Sequence, residues 1–349
     1  MSGGPAGQHP GVLLDAALLT TGVDDVPGTA RDLEARGYAG LWASEADHDP
    51  FLPLMAAGLA TEHTLLGTAI AVAFARSPMT LAMTAHDLQR YTRGRFVLGL
   101  GTQVKPHIER RYSMPWSAPA ARMREYVEAL RAIWSAWQTG ERLRFTGEHY
   151  RHTLMTPMFS PPAHEWGAPP VHLAAVGPVM TRLAGEVADG LLVHAFTTER
   201  YLRERTLPLL AEGLATSGRT RADVTISLPG LVVTGRTAEE HAAAADAARA
   251  TIAFYGSTPA YRPVLELHGW DALGDELHRL STTRREDRWT AMRDLVDDEV
   301  LHTFAVVAEP ADLGRRVLDR YDGVVDRFSV YSGGAAPLSV YDPLVAALR

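Results

Sequence analysis

The chain has 349 residues, 46% of them hydrophobic and 21% charged, which is enough apolar material for a full core and an ordinary balance for a globular protein. It holds no cysteine, so disulfides, thiolate metal sites and thiol nucleophiles are excluded. Its net charge of −7 comes from acidic and basic residues mixed throughout, which leaves no continuous basic face for nucleic acid; nor does any apolar run approach the roughly 18 residues that cross a bilayer.

Residues 1–10 are small and polar, with neither a basic start nor an apolar segment, and read as a disordered leader rather than a secretory signal. A cytoplasmic protein with a small-molecule partner, and neither membrane nor nucleic acid, is expected. From residue 12 onward, short β-rich apolar runs alternate with longer helical patterns, the signature of repeated βα units. Eight strands are read at 12–19, 40–44, 65–73, 95–101, 171–175, 190–195, 224–233 and 327–331, most of them continuous apolar runs as expected when both faces are covered. Pro27 and Pro78 mark helix starts, and Gly37 and Gly94 mark helix ends. Two connections are too long for simple crossovers: 102–170, with an amphipathic helix over 118–138 and then a proline-rich loop, and 237–326, with helices around 254–270 and 289–300. This pattern predicts one α/β domain over 11–349, a (β/α)8 TIM barrel with insertions after strands 4 and 7, its chemistry at the carboxyl ends of the strands.

The densest set of ligand-holding groups follows the fourth strand, in Gly101-Thr102-Gln103-Val104-Lys105-Pro106-His107-Ile108-Glu109. Lys105 is the only lysine in the chain. After the second strand, His48 is flanked by Glu45, Asp47 and Asp49, and a histidine there passes a proton near neutral pH or bonds a substrate oxygen. The competing reading is a capping cluster, with Asp47 or Asp49 starting the helix after Pro50 and His48 in water. Val171-His172-Leu173-Ala174-Ala175-Val176-Gly177-Pro178 ends a strand and opens a helix whose first amides suit a phosphodiester, although an ordinary β-to-α turn reads the same way. Arg76 and His194 follow the third and sixth strands; for Arg76 a salt bridge is the commoner explanation. Tyr112, Trp116, Phe159, Tyr255 and Tyr261 lie in the long insertions and either wall a substrate pocket or pack the core. His149, His152, His164 and His172 have no convincing metal spacing, and no metal site is predicted.

Taken in order, Gly37-Tyr38-Ala39-Gly40-Leu41-Trp42-Ala43-Ser44-Glu45, His48-Asp49-Pro50-Phe51, Leu66-Gly67-Thr68-Ala69-Ile70-Ala71-Val72-Ala73-Phe74, Gly94-Arg95-Phe96 through Gly101-Thr102, Gly177-Pro178 through Leu183-Ala184-Gly185, Ala188-Asp189-Gly190 and Glu309-Pro310 resemble the luciferase-like monooxygenase superfamily, and most closely its branch of coenzyme F420 (deazaflavin)-dependent oxidoreductases. The resemblance implies a flat tricyclic ring at the barrel mouth, against Ala69, Ile70, Ala71 and Val72, with a non-proline cis peptide and bulge in that segment. With that site, Thr102, Lys105, Ala175, Val176, Gly177 and Met180 are the expected cofactor contacts and His48 is the residue that matches the family's histidine, with Glu45 beside it and Gln103 as a local candidate for the catalytic set; from their places at strand ends and in the long connections, Phe51, His107, Tyr112, His194 and Tyr255 are the expected substrate contacts. Many members carry a glutamate directly after the Gly-Thr-Gly of the fourth strand, whereas this chain reads Gly101-Thr102-Gln103-Val104 and lacks that acid; Gln103, Lys105, His107 and Glu109 are the local candidates to replace it. The reaction implied is hydride transfer between the deazaflavin and a small organic substrate. The alternatives are an FMN-dependent monooxygenase fed by a flavin reductase and, less favoured, a cofactor-free binding barrel. A homodimer is a further implication of the resemblance.

Overall fold

The computed structural model describes residues 11–18, 22–332 and 336–349. The expected leader and Leu19 of the first predicted strand lie outside the described residues.

Eight parallel strands form the central sheet: β1 (Leu13–Ala17), β2 (Gly40–Ala43), β3 (Leu65–Thr68), β4 (Phe96–Gly101), β5 (Val171–Ala175), β6 (Gly190–Val193), β7 (Thr225–Val233) and β8 (Arg327–Tyr331). The hydrogen-bonded order runs β7-β8-β1-β2-β3-β4-β5-β6, and β6 also pairs with β7, so the sheet closes into a TIM barrel. Every residue of β2, β4 and β6 is buried, as their continuous apolar sequences require when both sheet faces are covered. Register is consistent from strand to strand: Asp15 opposes Gly40, Gly40 opposes Leu65, and Leu66 opposes Phe96.

The flanking helices begin and end where the sequence punctuates them. Helix α1 (Val26–Arg36) carries Pro27 in its first turn and ends at Gly37, whose φ of 99° lets its N–H reach back to Leu33 and Glu34. Asp49 accepts from the Phe51 amide at 2.8 Å at the start of α2 (Phe51–Ala60), and the Ser77 hydroxyl accepts from the Thr80 amide at the start of α3 (Pro78–Tyr91). The β4–β5 connection holds α4 (Lys105–Arg110), α5 (Pro119–Thr139) and a hairpin of Phe145–Thr146 with Arg151–His152; α6 (Pro178–Val187) follows β5 and α7 (Leu207–Thr216) follows β6. Among the described residues no helix is long and apolar enough to cross a membrane.

Two expected elements differ in extent. The run 65–73 is not one strand: the ladder stops at Thr68, the Ala69–Ile70 peptide is cis, and pairing resumes with Ala71 opposite Leu100 and Val72 opposite Gly101 before a 3-10 turn at Ala73–Ala75. In the β7–β8 connection a long helix, α8 (Ala238–Gly256), precedes the predicted start at 254, and 254–270 is split between its end, a 3-10 turn at Pro259–Tyr261 and a short helix at Arg262–Leu267. Its sequence, rich in alanine, shows no apolar stripe to read, and only Ala245, Ala248, Ile252, Ala253 and Gly256 of it are buried.

The contacts group into two compact units, Asp15–His194 with Arg203–Ile226, and Ala195–Leu202 with Ser227–Arg349 and the start of the chain. In the first, Trp42, Val97 and Leu192 pack together with Leu65, Ile70 and Ala174. The Trp42 indole donates to Asp15 Oδ2 at 2.7 Å, which satisfies a carboxylate only 1% exposed. Residue 67 is glycine because a Cβ there would stand 2.4 Å from the Trp42 ring; at residue 99 a Cβ would stand 1.8 Å from the Thr68 carbonyl. That approach lets the Thr68 hydroxyl donate to the Gly99 carbonyl at 2.7 Å and accept from the Gly99 amide at 2.9 Å, replacing ladder bonds beside the break in β3. In the second unit Phe196, Ile252, Leu265, Leu277, Met292 and Phe304 form the core.

Candidate functional site

At the carboxyl ends of β2, β3 and β4 a buried acid organises the backbone. Glu45 follows β2, and its side chain is only 6% exposed. Its Oε2 accepts from Arg76 Nη1 at 2.6 Å and from the Val72 amide at 2.7 Å; its Oε1 accepts from the Tyr112 hydroxyl at 3.0 Å. The Glu45 amide donates to the Ile70 carbonyl and the Ala69 amide to the Ala43 carbonyl, so both sides of the cis peptide are tied to β2 and the residues just after it. Arg76 completes the cluster by donating to Asp49 Oδ2 at 3.0 Å, and its guanidinium lies 5.4 Å from the centre of the Phe51 ring. Burial pulls the Arg76 pKa down, but the hydrogen bonds and charges of Glu45 and Asp49 outweigh it and leave the pKa raised. For Tyr112, burial and then the hydrogen bond and charge of Glu45 push the pKa up.

The other anticipated residues fall into three settings. Ala69 is exposed and Ile70 half-buried, whereas Ala71 and Val72 are buried, so the segment is open to the outside at its first half only. Thr102 and Gln103 are half-buried; the Thr102 hydroxyl donates to the Gln103 carbonyl, and Gln103, at φ 58°, turns its side-chain oxygen back onto the Val104 amide at 2.9 Å. Lys105 and His107 are exposed on α4, with Lys105 Nζ 3.8 Å from Glu109. Ala175 is buried, Val176 and Gly177 are exposed and Met180 is half-buried; α6 starts at Gly177 without a side-chain cap, and a Cβ at Gly177 would meet nothing within 4 Å.

His48 does not join the Glu45 cluster. Its side chain is 59% exposed and its nearest carboxylate is Asp47, at 3.7 Å. Asp49 both caps α2 and holds Arg76, so one residue serves the capping reading and the cluster together. Phe51, expected at the substrate, is buried beneath Arg76 at 7% exposure. His194, just beyond β6, is half-buried, and burial lowers its pKa to about 4, so it is neutral at physiological pH. Arg76 had only a weak sequence signal, a lone arginine directly after a strand, and it proves to be the hub of the cluster.

A family model described as luciferase-like monooxygenase matches residues 6–327. The chain belongs to the luciferase-like monooxygenase family. A protein of Mycobacterium tuberculosis named as uncharacterized, Rv1360, is 54% identical over 295 residues, covering 84% of this chain and 86% of its own. The F420-dependent glucose-6-phosphate dehydrogenase of Nocardia farcinica is 33% identical over 186 residues, 51% of this chain and 53% of its own. Among solved structures, the coenzyme F420 dependent tetrahydromethanopterin reductase from Methanopyrus kandleri superposes with a TM-score of 0.76 at 17% identity, over 97% of each chain.

This luciferase-like chain carries a second, different set of groups in its other unit. Phe196 packs on Phe304 with ring centres 4.6 Å apart and on Tyr261 at 5.7 Å, and Tyr255 meets Tyr261 edge-on at 5.8 Å. The Tyr255 and Tyr331 hydroxyls are 2.8 Å apart, and burial, followed by that bond, raises the Tyr255 pKa. Thr198 Oγ1 lies 2.9 Å from His268 Nε2, and the His268 ring stacks on Trp270. Tyr255 and Tyr261, which the sequence leaves between pocket wall and core, both pack against this unit's core and keep part of their surface outside it. Glu125, Glu148 and His149 bring ligand atoms within 4.8 Å of one another, but the Glu125 carboxylate already accepts from the amides of Glu148, His149 and Tyr150.

Proposed function

We propose that this chain is a coenzyme F420-dependent oxidoreductase that moves a hydride between the deazaflavin and a small organic substrate. The kinship with an F420-dependent dehydrogenase carries the choice of cofactor. The residues fit such a group. Ala69 is exposed and Ile70 half-buried beside an ion pair that fixes the course of the segment, and the start of α6 offers uncapped amides and an open approach at Gly177 for an anionic tail. Lys105, exposed on the loop after β4, supplies a cation for the same tail. When bound, the deazaflavin supplies the two-electron hydride chemistry. The protein's part is orientation, exclusion of water and handling of the proton. Glu45 acts by holding the Val72 amide and Arg76 in place, and the neutral His194 is suited to hydrogen-bond a substrate oxygen.

The family's description as monooxygenases keeps one rival in view, an FMN enzyme that activates oxygen. Titrating the purified protein with F420 and with FMN, following fluorescence, separates the two. Saturable quenching of F420 alone is the expected result. Quenching of FMN alone replaces the proposal with its rival, and binding of neither sinks both.

A further inference from the structure

Gln103, which stands after the Gly-Thr of β4, has no ionisable group, and its side-chain oxygen accepts from the Val104 amide. A half-buried phenol of the same connection, Tyr112, reaches back to the Glu45 carboxylate. At 6% exposure Glu45 cannot touch a substrate itself, and its Oε2 is occupied by Arg76 and the Val72 amide. Oε1 faces the Tyr112 hydroxyl at 3.0 Å. Tyr112 is half-buried, with the Arg111 guanidinium 5.0 Å from its ring centre and Arg111 in turn donating to the Ala46 carbonyl, so the ring is held in place while part of it stays reachable. A phenol that donates to a carboxylate keeps its oxygen lone pairs for an incoming hydroxyl.

We propose that Tyr112 and Glu45 form a two-residue proton relay in which the Tyr112 hydroxyl meets the substrate oxygen and Glu45 Oε1 receives the proton. The proposal rests on the deazaflavin reading above and deepens it by naming the residues of this chain that take the proton. The ion pair with Arg76 is made by the carboxylate form, so the relay takes a proton away, and the matching substrate is a carbinol, a carbon bearing both hydrogen and hydroxyl. As the substrate O–H bond breaks, its proton bonds to the Tyr112 oxygen while the Tyr112 proton passes to Glu45. With its proton withdrawn in this way, the carbinol carbon could give up its C–H bond as a hydride and become a carbonyl; a deazaflavin held at Ala69, Ile70 and Gly177 would be the two-electron acceptor. The raised pKa of Tyr112 keeps the phenol protonated between turnovers, as a conduit needs.

Tyr112→Phe is the decisive variant, with Glu45→Gln and His48→Asn beside it. F420 quenching titrations come first: binding unchanged from wild type in Tyr112→Phe keeps the cofactor reading separate from this one. Alkaline titration of tyrosinate absorbance without cofactor then isolates Tyr112 as the difference between wild type and Tyr112→Phe. Its midpoint is expected to fall in Glu45→Gln, because the carboxylate that raises it is gone. Finally, oxidation of 2-propanol, cyclohexanol and glycerol by F420 is followed across pH. Tyr112→Phe is expected to lose about 100-fold in kcat at little change in KM. A Tyr112→Phe rate close to wild type, a large loss confined to His48→Asn, an unmoved tyrosine midpoint, or intact F420 binding with none of these carbinols oxidised would each overturn the relay.

Discussion

The surroundings of Glu45 and those of Phe196 hold their shape by opposite means. Around Glu45 the links are ionic and hydrogen-bonded, and they run from one acid to an arginine, a phenol and a backbone amide. Around Phe196 the links are ring packing, with Phe304, Tyr255 and Tyr261 against it and one hydroxyl pair at the side. Charge and hydrogen bonding fix directions, so the first arrangement suits a place where a backbone segment must keep an unusual course. Packing fills space without fixing the direction of any one group, so the second suits the interior of a unit, where volume has to be kept. If that contrast is right, each region should fail in its own way. The Glu45 region should fail when one partner is removed and recover when the other goes too; the Phe196 region should fail in proportion to the volume deleted.

The largest effect is expected at Phe304, which is 1% exposed in the core of its unit and stacked on Phe196. Phe304→Ala should cost about 4 kcal/mol, from lost burial plus the cavity left behind, and Phe304→Leu much less. Urea unfolding measures both, and a Phe304→Ala cost no larger than that of Phe304→Leu would contradict the packing account. Next is Arg76→Met, which leaves Glu45 buried opposite no charge and Asp49 without its partner. Breaking a buried pair from one side should cost about 3 kcal/mol, whereas the double variant Arg76→Met with Glu45→Gln should recover a good part of it. Simple additivity of the two substitutions would show that the pair is not a unit.

These two regions were also unequally legible in the sequence. The eight strands could be read because buried parallel strands are apolar runs cut by glycine, proline and acid residues, and seven of them appear with ends within about two residues of expectation. The third could not be read to its end, since Ala71-Val72-Ala73 continues the apolar run straight through the break; only the resemblance pointed to a cis peptide there. The sequence marks Glu45 only as a neighbour of His48, but its partners lie 31 and 67 positions away, at Arg76 and Tyr112, and the pairing of β2 with β3 and of β3 with β4 brings them together. His48 had the better local company in sequence and yet stands in water beside Asp47, because the same carboxylates were claimed by a helix start and by Arg76. The ring cluster was visible as residue types but not as contacts, since Phe196, Tyr255 and Phe304 belong to three separate segments.

A pH titration sharpens the comparison from a third position. His194 stays neutral in the folded chain down to about pH 4 because burial opposes its charge, while in the unfolded chain its imidazole takes up a proton near the ordinary value of 6.5. Protonation therefore favours the unfolded state, and stability should fall as pH drops from 6.5 towards 4, by about 2 kcal/mol once partial exposure is allowed for. Above pH 6.5 the group contributes no slope. His194→Phe should flatten the acid side of the profile by that amount; an unchanged acid slope would place the residue in water.

The smallest effect is expected where the two means of holding meet, at the hydroxyl pair of Tyr255 and Tyr331. Tyr255→Phe keeps the ring and its edge-on contact with Tyr261 but removes one end of a 2.8 Å hydrogen bond. Both phenols are half-buried, so water can replace the lost partner, and the cost should be about 1 kcal/mol or less. Tyr255→Ala deletes the ring as well and should cost several times more, as burial and not the hydroxyl is what binds this residue to its unit. A Tyr255→Phe loss as large as that of Arg76→Met would mean that the pair acts as a structural anchor of the Glu45 kind. In that case the ring cluster would be fixed by polar links in its own right, and not held by packing alone.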